Sequence, residues 1–301
     1  MNQVNIEMKT SAMPTEQQKK LNEAIRPLLK LMIGDVLSNV REEISAAAGF
    51  ELSAEAAEPF VKFVEWINTR PGFIAQWRSN KVTEDRDYAR FMVVADDVRS
   101  AYAAICYHLS RIKQIELSVN AILSQYNFAD QVQPNEVVGF PSMRQLDFEY
   151  HAFVLAYRRC LDYLAYGLST YFKQNQSSYN RLSKTLKNSR PTEVARALID
   201  VFNRYACNFD FVMGDERGKS TRDRIGHSTF VQSAVVNIRA DGHMFVGGGE
   251  NLRLSNPRDE RSLFEILNSR ALKLHECLSE FLTRFREEVV KFEATSVNYH
   301  P

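Results

Sequence analysis

Apolar residues recur at steps of three and four along most of this chain, the spacing of one face of an α-helix. Thr15 with Gln18 has the form of a capping box, and Leu21, Ile25, Leu28 and Met32 follow at helical spacing. Pro27 predicts a kink, and Gly34 a break before a second piece at 36–48. Ser53 is placed to cap a helix carrying Phe60, Phe63 and Ile67, with Pro71 as its stop. A shorter element holds Phe73, Ile74 and Trp77. From Thr83 one long stripe runs through Phe91, Val94, Val98, Tyr102, Ile105, Leu109, Ile112, Ile115, Val119, Ile122 and Tyr126. One extra step of three near Ile115 predicts a kink or a change of packing partner.

Pro134, Gly139 and Pro141 cluster within 127–141, which predicts a boundary between an N-terminal helical region, 1–130, and a second unit, 140–294. The cleanest stripe follows: Leu146, Tyr150, Phe153, Tyr157, Leu161, Leu164, Leu168 and Phe172. After a polar stretch at 174–188, Pro191 stands near the first turn of a helix with Val194, Leu198, Val201 and Tyr205. Residues 214–220 read as a charged loop and 221–227 as one or two helical turns. The β-branched run 230–239, the turn Ala240-Asp241-Gly242 and a return at 243–246 predict a hairpin ended by Gly247-Gly248-Gly249. Asn256-Pro257 opens the last helix, with Leu263, Leu267, Leu274, Leu278, Phe281, Phe285 and Phe292 on one side. The expected fold is mainly α: a helical bundle with one β-hairpin inserted before the last helix, plus the N-terminal helical region.

Composition narrows the class without identifying a function. The 301 residues leave room for one or two domains, and 12 Gly and 9 Pro are too few for a collagen-like or turn-rich all-β chain. Lys and Arg total 38 against 37 Asp and Glu, a net charge of +1, so only a local basic patch is open to nucleic acid. No apolar run approaches the roughly 18 residues of a membrane span. Glu7 and Lys9 stand where an export signal would be apolar. Cys106, Cys160, Cys207 and Cys277 are far apart, which reads as free thiols in a reducing cytoplasm.

Most candidate chemistry is better read as structure. Gly247–Gly249 lacks the Lys-Ser/Thr and the strand-to-helix context of a phosphate loop. Glu149 and His151 fall on different helix faces, so no metal site is expected. Trp66 and Trp77 lie within helical patterns and are not read as base-stacking platforms. One segment differs. Arg217, Lys219, Arg222 and Arg224 surround His227 in an otherwise neutral chain, a plausible anion site. An imidazole exchanges protons near neutral pH, and a guanidinium holds a phosphate through a bidentate fork. Asp223, four residues before His227, is expected to orient the imidazole across one helical turn. The alternative is a surface salt-bridge cluster at a helix end.

Arg222-Asp223-Arg224-Ile225-Gly226-His227 has the form R-[N/D/H]-x3-H and resembles the signature of HEPN (higher eukaryote and prokaryote nucleotide-binding) domains. The long helix before the motif, with Glu149 early and Leu161-Asp162 in its middle, and the hairpin before a closing helix also resemble larger bacterial members, over about 140–294. The bare spacing is common: Arg270 and His275 repeat it, and Arg144 and His151 match a looser form. Neither of those arginines is followed by Asn, Asp or His. The resemblance implies a homodimer whose two motifs build one metal-independent ribonuclease site, with no cofactor. It assigns catalytic roles to Arg222 and His227, an orienting role to Asp223, and RNA-backbone contacts to Arg224, Lys219 and Arg217. Toxin and antiphage roles, and an antitoxin or regulatory partner, come with the same resemblance. Thr229 stands where members silenced by AMPylation carry Tyr, so that control is not expected. Gly226 is expected to admit a partner helix. The competing function is a non-catalytic HEPN-like module that binds RNA or nucleotide or only dimerises; a plain helical scaffold is the third.

Overall fold

The computed structural model describes residues 35–69, 85–140, 143–214, 220–227, 230–247 and 262–297. The stretches read above from Leu21 to Met32 and from Phe73 to Trp77 lie outside them. The chain divides into two compact units, Met1–Ala57 and Glu58–Pro301. Helix α1 spans Asp35–Ala48 in the first; helix α2, Ala54–Thr69, capped by the Ser53 hydroxyl that accepts the Ala56 N–H at 3.2 Å, lies mostly in the second.

In the second unit the stripe expected from Thr83 onward forms two helices rather than one, α3 (Asp85–Met92) and α4 (Asp96–Leu123), separated by a turn at 93–95. The reason lies on helix α5 (Arg144–Tyr171). A Cβ on Gly167 would stand 2.2 Å from Val94 Cγ2 and 2.9 Å from the Val94 backbone nitrogen. The bare glycine thus admits the α3–α4 corner against α5. Contacts from Val94 to Gly167, Val98 to Cys160 and His108 to Glu149 show that α4 and α5 run antiparallel. The whole α5 stripe from Leu146 to Phe172 is buried. Each such side chain contributes about 1.5–3 kcal/mol, against about 0–1 kcal/mol for a surface ion pair, so apolar burial sets the bundle.

The step near Ile115 is a change of partner. Beyond Ile112 the buried position on α4 is Glu116, whose carboxylate accepts the Phe264 N–H at 3.0 Å at the start of the closing helix. The polar stretch at 174–188 contains a short helix, α6 (Leu182–Lys187), with Tyr179, Leu182 and Leu186 buried, too short to announce itself by periodicity. Helix α7 (Thr192–Tyr205) follows Pro191, α8 is Asp210–Met213, α9 is Thr221–His227 and α10 is Leu263–Val297. A knot of rings (Phe63, Trp66, Phe91, Tyr171 and Phe285) joins α2, α3, α5 and α10 at centroid distances of 4.9–6.4 Å.

The hairpin forms as strands β2 (Ala234–Arg239) and β3 (Gly242–Gly247), paired from Ala234↔Gly247 to Arg239↔Gly242. Gly242 closes the two-residue turn at φ +141°, a region that favours glycine. The sheet has a third strand that the hydrophobic pattern does not announce. β1 (Val138–Phe140) pairs antiparallel with β2, so the order is β1-β2-β3. Residues 127–140 therefore lie inside the second unit and carry a sheet edge. The fold is mainly helical with a small antiparallel sheet. No helix among the described residues is long and apolar enough to cross a membrane.

Candidate functional site

Helix α9 is held at both ends by α5. Ahead of it, the Arg158 guanidinium donates to the Val212 carbonyl at 3.2 Å and pairs with Asp162 at 2.8 Å, fixing the end of α8. Behind it, His151 Nε2 bonds the Val231 carbonyl at 2.7 Å, and Asp147 accepts both the N–H and the hydroxyl of Ser233 at 2.8 Å. Asp147 and Ser233 are buried, so this pair is shielded from water and screens poorly. A seven-residue helix gains little from propensity alone. These anchors, three of them on one helix face by their i, i+4 and i+11 spacing, are what hold it.

The local start of α9 is a Ser-x-x-Asp cap. The buried Ser220 accepts the Asp223 N–H at 3.0 Å and donates its hydroxyl to Asp223 Oδ2 at 2.9 Å, and its carbonyl takes the Arg224 N–H at 3.0 Å. Ser220 was not among the expected site residues, although Ser-x-x-acid at the head of a helix is a readable signal.

Arg222 and His227 come together. Arg222 Nη1 lies 3.4 Å from His227 Nε2 and donates to Asp223 Oδ1 at 3.0 Å. His227 is exposed at the last position of the helix, and Arg222 and Asp223 are about two-fifths exposed at their side chains (36% and 41%). The expected Asp223–His227 bond is not formed. Side chains on a helix lean toward its N-terminus, so the short carboxylate reaches back to Ser220 while the long guanidinium spans forward to the imidazole. Asp223 thus orients Arg222 and not the histidine. Partial burial raises its carboxyl pKa, but the Ser220 hydroxyl and the Arg222 guanidinium outweigh that and hold it below the usual aspartate value. Arg224 is half-buried on the same helix. Gly226 is exposed, and a Cβ there would meet nothing within 4 Å, so the chain's own packing does not require glycine. Arg217, Lys219 and Thr229 lie outside the described residues.

The other two Arg/His spacings have different surroundings. Arg270 lies over the Phe211 ring at 3.9 Å, and its carbonyl accepts the Tyr157 hydroxyl at 3.0 Å. His275 packs on Tyr102 at 5.5 Å. Glu149 turns to α4, where it meets His108 at 2.7 Å and Arg111 at 3.7 Å, whereas His151 turns to Val231. Arg144 and His151 share one neighbour, the ring of Phe230, at 5.2 and 4.9 Å. An open groove on α7 and α10, lined by Tyr205, His275, Glu280 and Arg284, holds none of the expected site residues. Among the described residues all four cysteines are free thiols. No protein-family model, curated protein or solved structure matches this chain.

Proposed function

We propose that the chain is a HEPN-type endoribonuclease that cleaves RNA without a metal ion, at a site built from Arg222 and His227 of two copies. The observation that supports this reading is the 3.4 Å approach of guanidinium and imidazole at the exposed end of a short, doubly anchored helix. In that reading His227 takes the proton of an RNA 2′-hydroxyl, and the freed oxygen attacks the adjacent phosphorus. The bond from phosphorus to the 5′-oxygen breaks, and His227 of the partner subunit returns a proton to that oxygen. Arg222 holds a non-bridging oxygen as charge builds. The products are a 2′,3′-cyclic phosphate and a 5′-hydroxyl. Asp223 is a positioning residue for Arg222, and Arg224 with Lys219 and Arg217 follows the RNA backbone. The open space at Gly226 is where a second copy approaches. A cytoplasmic toxin or antiphage role, under an antitoxin or other regulatory partner, rests on the motif resemblance.

One observation favours a second reading, a non-catalytic HEPN-like module that binds RNA or nucleotide or only dimerises. Arg222 is already paired with Asp223, which leaves less charge for a phosphate. An RNA-cleavage assay in excess EDTA decides between them, with His227→Ala and Arg222→Ala as controls and product ends analysed. Cyclic-phosphate ends that vanish in both variants support the nuclease. Binding without cleavage supports the module. Cleavage unchanged in His227→Ala overturns the site.

A further inference from the structure

Phe230 is half exposed, at 50%, three residues beyond His227. A single exposed apolar side chain needs no explanation. This one is different because it is held. The Arg144 guanidinium from the first turn of α5 lies over its ring at 5.2 Å, and the His151 imidazole, two turns further along, stands beside it at 4.9 Å, tilted by 59°. His151 is itself fixed by the Val231 carbonyl at 2.7 Å. The ring is therefore pre-positioned by a cation and an anchored imidazole while half of it faces water. Phe148, 59% exposed, stands one turn beyond Arg144 on the same helix. An aromatic face next to a guanidinium is the surface on which an unpaired nucleobase stacks, and the guanidinium offers a charge to the adjoining phosphate.

Position ties this patch to the motif. Three residues of extended chain span at most roughly 11 Å, so the Phe230 Cα lies within that distance of the His227 Cα. We propose that Phe230, with Arg144 and His151, is a stacking subsite for an unpaired base of single-stranded RNA, next to the phosphate that Arg222 and His227 engage. The inference rests on the RNA-cleaving reading above and adds a substrate requirement to it. A base locked in a duplex cannot turn onto the ring, so single strands and loops are the substrates and continuous duplex is not.

The test uses the full chain with a fluorescein-labelled single-stranded RNA, the same RNA as a duplex, and versions carrying one abasic nucleotide at successive positions around the cleaved bond. Binding is read by anisotropy in the His227→Ala background, and cleavage in the active background as KM against kcat. Phe230→Ala is expected to weaken single-strand binding by roughly tenfold or more, the loss associated with one base–aromatic stack, and to raise KM with kcat little changed. Phe230→Tyr restores binding because it keeps the ring, and equal melting temperatures exclude a folding defect. One abasic position is expected to cost the wild type the same factor and to cost Phe230→Ala nothing further. A wild type that cleaves RNA while Phe230→Ala binds and cleaves equally well overturns the stacking subsite and leaves the nuclease intact. A wild type that neither binds nor cleaves any of these RNAs overturns the nuclease reading, and the subsite with it. A change of molecular mass in Phe230→Ala with unchanged RNA affinity makes the ring a protein contact and also overturns it.

Discussion

Arg222/His227 and Arg270/His275 have the same spacing, and both lie on helices that begin with Ser-x-x-acid. In α9 the box is Ser220 with Asp223; in α10 Ser262 and Glu265 exchange bonds of 2.9 and 3.2 Å. Their surroundings then diverge. Arg270 and His275 stand inside the first half of a 35-residue helix and pack on Phe211 and Tyr102. Arg222 and His227 span a seven-residue helix whose far end reaches water. Spacing along a helix sets which side chains can meet. What the helix packs against decides which other groups they meet.

Loss of activity is the largest effect expected to separate the two pairs. His227→Ala and Arg222→Ala should each lower the rate of RNA cleavage by about 10²–10⁴, whereas His275→Ala and Arg270→Ala should leave the rate per folded molecule unchanged. Initial rates in EDTA on all four variants check this. Equal losses in both pairs would dissolve the distinction. Stability should show the reverse order. Arg270→Ala removes a guanidinium from a ring face and should cost about 1–2 kcal/mol in urea unfolding, while Arg222→Ala should stay within about 0.5 kcal/mol.

The acid at the head of each helix sharpens the contrast further. Burial raises the Glu116 carboxyl pKa, and the donors at the start of α10 offset only part of that. Glu116 therefore favours the folded state most below its unfolded pKa, and that contribution is lost as pH rises through its folded value. Asp223 is shifted the other way, so its contribution is present above its unfolded pKa and lost as pH falls through its folded value. Melting temperatures across pH should flatten just above the ordinary carboxylate range in Glu116→Gln and just below it in Asp223→Asn. A shared direction would contradict the opposite environments. The smallest effect on folding is expected at Gly226. Gly226→Leu should leave the melting temperature unchanged, because a side chain there meets nothing in its own chain, yet lower the dimer fraction in light scattering. An unchanged dimer would remove Gly226 from the interface.

Much of the bundle is visible in one dimension because a buried helix face must repeat every three or four residues. The stripe from Leu146 to Phe172 and that from Leu263 to Phe285 are buried along their full length for this reason. The hairpin turn was equally visible, since Ala240-Asp241-Gly242 has the chemistry a two-residue turn needs. Short or exposed elements were not: β1 has three residues with all side chains exposed, and α6 has six. At the site, the sequence placed Arg222, Asp223 and His227 on one short helix. It did not show that Asp223 would turn to Ser220, because that choice depends on side-chain reach and direction.

Local chemistry and periodicity determine which segments of this protein are helical, where α9 starts, and which residues can neighbour one another across a turn. These are interactions over four residues or fewer, and the chain order states them directly. The break between α3 and α4, the buried cap from Glu116 and the anchoring of α9 by Asp147, His151 and Arg158 belong to the tertiary structure. Each joins residues dozens of positions apart or more: Val94 to Gly167, Glu116 to Phe264, Asp147 to Ser233. Such contacts form only once loop closure has been offset by burial of the apolar stripes, and it is they that place one Arg–His pair at an exposed helix end and the other against the rings of Phe211 and Tyr102.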